Sequence, residues 1–172
     1  IVIAGRRAEP LEAVSQETGA LVVVGDVATV EGAQSLISQT VERYGQIDNL
    51  VLNAGIVRNG KVAELSFEDW NDTVNINLTA NFLLSKFALP HIVASKGNIV
   101  GVSSIASLRS GYGMSAYSAS KAALTSLIQN IAYDYAADGV RANVVCPGWI
   151  MTEMAEQEFA EAAHTKNTTV ES

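Results

Sequence analysis

One cysteine among 172 residues leaves no internal disulfide to staple the chain. That thiol closes the segment from Ala142 to Cys146, which reads as the end of a buried strand and hence as a packed thiol. Apolar runs are never longer than a strand requires, so none is read as a membrane span. Positive charge is scarce: 11 Lys and Arg against 18 Asp and Glu give a net charge of -7. With no basic patch interleaved with aromatics, nucleic acid is not an expected partner. No charged-then-apolar leader opens the chain, so the expected compartment is the cytoplasm. Asn167, Thr168 and Thr169 match a glycosylation acceptor but, without a secretory context, read as part of a polar tail over 164–172. A glycine-rich phosphate cradle of the G-x-G-x-x-G type is also missing.

What is present is an apolar content of 48% arranged in strand-sized and helix-sized segments that alternate along the chain. Such alternation predicts a doubly wound α/β fold, a parallel sheet with helices on its faces, in one domain over 1–163. Strands are expected at 1–4, 21–24, 49–52, 97–102 and 140–146. Helices are expected at 9–18, from Thr29 to a stop at Gly45, from a Ser66 cap to about Val93 with a break near 75–77, over 114–137, and from about Thr152 to Ala163.

The chemistry is concentrated in Ser104, Tyr117 and Lys121. On a helix over 114–137, Tyr117 and Lys121 are i and i+4 neighbours on one face, so the ammonium can sit beside the phenol. A free phenol has a pKa of about 10, and working near neutral pH needs about 4 kcal/mol of help. One cation at about 4 Å in an effective dielectric of about 20 supplies that amount. Ser104 could hold a carbonyl oxygen while the proton moves. The plain alternative is a helix start carrying an amphipathic tyrosine and a solvated lysine.

Other residues collect at expected strand ends, where open α/β sheets bind ligands. Asn53, Ala54 and Gly55 follow one strand, and Gly55 lets a group approach the backbone. Asp26, followed by Val27, could accept from an adenine amino group or cap the next helix. Arg6 and Arg7 follow the first strand, where an arginine would accommodate a 2'-phosphate. Asn75 and Asn77 interrupt a helical pattern, and Asn77 could hold a water that relays protons from Lys121. Pro147 and Gly148 turn the chain toward Trp149, Ile150 and Thr152 at the same sheet edge, where Trp149, Met151 and Met154 could wall an apolar pocket or belong to the core.

Taken in order, Asp26, Asn53 to Gly55, Asn77, Ser104, Tyr117, Lys121, Pro147, Gly148 and Thr152 resemble the classical short-chain dehydrogenase/reductase family, from Ile1 through about Glu153. The resemblance implies an oxidoreductase moving a hydride between NADP(H), or less favourably NAD(H), and a small alcohol or carbonyl substrate. It implies Tyr117 as general acid/base, Lys121 lowering its pKa and holding the nicotinamide ribose, Ser104 on the substrate oxygen and Asn77 supporting the relay. Asp26 and Val27 would lie near adenine, Asn53, Ala54 and Gly55 along the ribose, and Pro147, Gly148, Ile150 and Thr152 toward the nicotinamide. Arg6 and Arg7 resemble the NADP-preferring version. A homo-oligomer, dimer or tetramer, pairing through the two long helices is implied as well.

Two departures qualify the resemblance. The family's paired asparagines before Ala-Gly are here Leu52 and Asn53, and its phosphate loop, which precedes the strand at Ile1, is not in this sequence. The fold is therefore expected to be incomplete, lacking the first, central strand and leaving two strand edges unpaired. This polypeptide by itself is expected to fold poorly and bind dinucleotide weakly. The alternative reading is a non-catalytic fragment or relative that uses the fold for binding or assembly. A flavodoxin-like or response-regulator module would not explain the Ser104 to Tyr117 spacing.

Overall fold

A computed structural model describes residues 1–150. Among them five strands and five α-helices follow in the order β1 (Val2–Gly5), α1 (Ala8–Thr18), β2 (Leu21–Val24), α2 (Val30–Tyr44), β3 (Asn49–Leu52), α3 (Phe67–Val74), α4 (Ala80–Ser95), β4 (Asn98–Val102), α5 (Ser115–Asp134) and β5 (Arg141–Val145). All strand pairings among them are parallel. Side-chain caps mark two of the helix starts. Thr29 accepts from the Gly32 N–H at the head of α2, and Ser66 accepts from the Asp69 N–H at the head of α3, each satisfying an orphan donor. Gly45 ends α2 as expected.

The expected break at 75–77 is a π-helical turn, Asn75–Thr79, between α3 and α4, in which the Ala80 N–H reaches back five residues to the Asn75 carbonyl. Helix α5 stops at Asp134, three residues before the expected end, and a 3-10 turn at Ala136–Asp138 finishes the segment. The expected helix after Thr152 and the polar tail lie outside the described residues.

The core lies on one face of the sheet formed by β3, β4 and β5. Leu52 and Ile99 pack there with Ala33 and Ile37 of α2, Leu84, Ala88 and Ile92 of α4, and Leu124, Ile128 and Ile131 of α5. A side chain at Gly101 would come within 2.8 Å of Ile128 Cγ1, so glycine allows α5 to seat directly on β4. The opposite face is open among the described residues, with Val51 61% exposed. Strands β3 and β5 therefore do not have the two-sided burial that their apolar runs suggest, and Cys146, just past β5, is half-buried rather than enclosed.

The strands form two sheets, β1 with β2 and β3-β4-β5, with no pairing between β1 and β3. This is the incomplete parallel arrangement expected from the sequence, with β1 and β3 both ending beside one cavity of about 440 Å³.

Candidate active site

Tyr117 and Lys121 lie one turn apart in the first half of α5, whose start is tied to the loop after β3. The Ser115 hydroxyl donates to the Gly60 carbonyl at 3.3 Å, and the Gly60 N–H donates to the Gly113 carbonyl at 2.7 Å. The Lys121 side chain is buried, its Nζ 5.7 Å from the centre of the Tyr117 ring. Nζ also donates to the Val102 carbonyl at 2.8 Å, at the end of β4. Burial pushes the Lys121 amine down to about 8, because desolvation disfavours the charged form. It still carries its proton through most of the population at neutral pH. A cation held on this side of the ring favours the phenolate over the phenol.

Ser104 leaves β4 and caps the short 3-10 turn Ile105–Ser107, where its Oγ accepts from the Ala106 N–H at 3.1 Å. This leaves the hydroxyl proton available. Ser104, Tyr117 and Lys121 line one cavity of about 340 Å³, together with Pro147, Gly148 and Ile150. Asn53 and Gly55 line both this cavity and the larger one beside β1, so the two meet at the end of β3. The larger cavity is bounded by Arg6, Arg7, Asp26, Val27 and Ala54.

Asn77 sits in the π-turn, fully buried and away from the smaller cavity's lining. Its Oδ1 accepts from the Ile56 N–H at 2.7 Å, and its Nδ2 donates to the Ile56 carbonyl at 2.9 Å and to Ser120 Oγ at 3.0 Å. Both amide protons are thus committed to protein, leaving only a lone pair on Oδ1 for a water. A side chain at Gly55 would meet Lys121 Nζ at 3.2 Å and Asn77 Oδ1 at 3.4 Å, so glycine is what allows both groups to flank the end of β3.

Asp26 does not cap α2. Thr29 does, while Asp26 Oδ1 accepts from the Ala28 N–H at 3.0 Å in a local turn. Trp149 lines the smaller cavity instead of joining the core. Thr152, Met151 and Met154 lie outside the described residues. The sequence reading missed Ser120 and Asn81. Asn81 Nδ2 donates to the Asn77 carbonyl at 2.8 Å and to the Ala54 carbonyl at 3.3 Å, holding the loop after β3 against the helix. The available signal was spacing, since Asn81 follows Asn77 by one helical turn and Ser120 follows Tyr117 by three residues.

Parallel strands, cavities at their carboxyl ends and a serine, tyrosine and lysine on one cavity wall define a Rossmann-like α/β protein. The chain belongs to the short chain dehydrogenase family, whose model matches residues 1–163. It is 36% identical over 135 residues to meso-2,3-butanediol dehydrogenase of Serratia marcescens, covering 78% of this chain and 54% of that protein. It is 35% identical to a 3-oxoacyl-[acyl-carrier-protein] reductase of Synechocystis, covering 83% of this chain and 58% of the relative. The structure of an NAD+-bound xylitol dehydrogenase superposes with a TM-score of 0.88 at 28% identity, covering 95% of this chain and 66% of that one. The chain thus spans little more than half the length of these two curated relatives.

Proposed function

We propose that this chain carries the proton-transfer part of an NADP(H)-dependent oxidoreductase that interconverts an alcohol and a carbonyl compound. The observation that carries the reading is the buried Lys121 ammonium, 5.7 Å from the Tyr117 ring centre, on the wall of a cavity that also holds Ser104. In this reading Tyr117 is the general acid/base, and the lysine's charge favours its phenolate. The Ser104 hydroxyl, whose oxygen is steadied by the Ala106 N–H, donates to the substrate oxygen. Asn77 supports the site by holding Ile56 and Ser120, with one lone pair left for a relay water.

The residues beside β1 fit a dinucleotide. Arg6 and Arg7 stand exposed beside the larger cavity with no ion pair among the described residues, matching a 2'-phosphate. Asp26 and Val27 would lie at adenine, Asn53, Ala54 and Gly55 along the ribose with Lys121, and Pro147, Gly148, Ile150 and Thr152 toward the nicotinamide. Bound there, the cofactor supplies or accepts the hydride.

Exposed Phe67 and Phe82 on α3 and α4, and Tyr133 on α5, support a homo-oligomer that pairs through these helices. We place the protein in the cytoplasm on the strength of its single cysteine. The alternative, a non-catalytic fragment or relative, is favoured by one observation, the missing pairing between β1 and β3. The deciding experiment is a reductase panel on the full-length protein with NADPH and NADH, comparing wild type with Tyr117→Phe. Loss of turnover in the variant is expected. Equal turnover sinks the assignment of Tyr117, and a folded wild type that moves no hydride with any carbonyl compound establishes the alternative.

A further inference from the structure

Among its described lining residues the smaller cavity has an uneven charge. Two cations, Lys121 and Arg109, stand among its described lining residues, and no carboxylate does, although the whole chain carries a net charge of -7. Lys121 is engaged with the Val102 carbonyl and faces Tyr117. Arg109 is different. Its backbone is fixed, because its N–H donates to the Ile105 carbonyl at 2.9 Å and so holds the residue beside the turn that Ser104 caps. Among the described residues its guanidinium has no ion pair or hydrogen bond, whereas Arg58 pairs with Asp69 and Lys61 with Glu64. Arg109 is exposed at this cavity, whose described lining also includes the apolar Val57, Ile105, Ala106 and Met114. A cleft whose described charges are of one sign attracts an anion.

We propose that Arg109 is an anion-recognition residue of the substrate cavity, and that the substrate is a carbonyl or alcohol compound with an apolar body and a carboxylate at the end away from the reacting carbon. This rests on the reading of the cavity as the substrate site. A planar guanidinium offers paired donors to a carboxylate, so it would orient the substrate as well as attract it. Ser104 and Tyr117 would then meet the reacting oxygen at the opposite end of the molecule.

The test is one of binding, so it does not depend on hydride transfer. Benzoate and its neutral isostere benzamide are titrated into the full chain by ligand-observed NMR, with wild type, Arg109→Leu and Arg109→Lys. The expected result is that wild type prefers benzoate by about tenfold, the size of a charge-assisted hydrogen bond. Arg109→Leu should abolish the preference, and Arg109→Lys should retain part of it. Equal binding of the two probes to wild type, binding of neither, or a preference that survives Arg109→Leu overturns the proposal. Benzoate preference lost in Arg109→Leu, in a protein that turns over no carbonyl compound, would leave anion recognition standing while the oxidoreductase reading fails.

Discussion

The buried amide of Asn77 donates to the hydroxyl of Ser120 at 3.0 Å, joining the π-turn to α5 across 43 residues of sequence. Ser120 in turn donates to the Tyr117 carbonyl at 2.8 Å, so the backbone of the proposed acid/base is tied through one hydroxyl to the helix pair α3 and α4. Asn77 also clamps both polar groups of Ile56, in the loop after β3. One side chain therefore sets the distance between the end of β3 and the start of α5.

Asn77→Ala should be costly for this reason. Three hydrogen bonds disappear, and the half-buried Ile56 and buried Ser120 groups they satisfied lose their partner, for a loss of about 3 kcal/mol. Urea unfolding should show a lower midpoint with an unchanged slope. A loss below about 0.5 kcal/mol would mean that the clamp does not hold the fold.

Gly55→Ala should instead damage activity more than stability. The new methyl group meets the far end of the Lys121 chain at 3.2 Å, which can move, but only by leaving its place beside Tyr117. Turnover should fall about tenfold or more while the melting temperature changes by only a few degrees. Wild-type turnover in a correctly folded Gly55→Ala protein would show that the lysine position is not critical.

Lys121 makes stability depend on pH in a direction that can be worked out. Its folded pKa is about 8 against an ordinary 10.5, so between those values the unfolded chain binds more protons and stability rises with pH. The gain is fully present above 10.5 and is lost as pH falls through 8. At pH 7 the buried charge costs roughly 3 kcal/mol. Lys121→Met should therefore gain on wild type at neutral pH, and the difference between the two should shrink by about 2 kcal/mol on going to pH 10. Chemical denaturation of both proteins at the two pH values measures it. A difference that does not change with pH would show that the amine is not desolvated.

Gly101→Ala tests the seating of α5 on β4. The added methyl lies 2.8 Å from Ile128 Cγ1 in a fully buried position, so the expected loss is about 1–3 kcal/mol. Ile128→Ala should cost less in the Gly101→Ala background than in wild type, because the two changes share one space. Additive losses would show that the helix has no close contact there.

Arg6 and Arg7 bear on cofactor choice. Replacing both with Ala should raise the KM for NADPH about tenfold or more and change that for NADH little, since a 2'-phosphate alone distinguishes the two. Equal effects on both nucleotides in steady-state kinetics would remove the arginines from the 2'-phosphate reading.

Much of the fold could be read locally. The Ser66 cap with Asp69, the stop at Gly45 and the four-residue spacing of Tyr117 and Lys121 are short-range features, and each lies where its sequence pattern places it. The exposure of Val51 was not legible, because an apolar residue in a four-residue strand carries no record of which face is covered. The same limit applied to Asn77. Its type marked an interruption of the helix, but its partners at Ile56 and Ser120 lie 21 and 43 residues away.

The sequence alone determined the alternation of strands and helices and the chemical identity of Ser104, Tyr117 and Lys121, because periodicity, caps and residue type act over a few neighbours. Tertiary structure decided the rest. It buried Lys121 and so lowered its pKa, tied the side chain of Asn77 to Ile56 and Ser120, and brought Arg109 into a cavity without a described carboxylate. The reason is physical: desolvation, hydrogen-bond satisfaction and local field depend on what the chain brings close in space from far away in sequence.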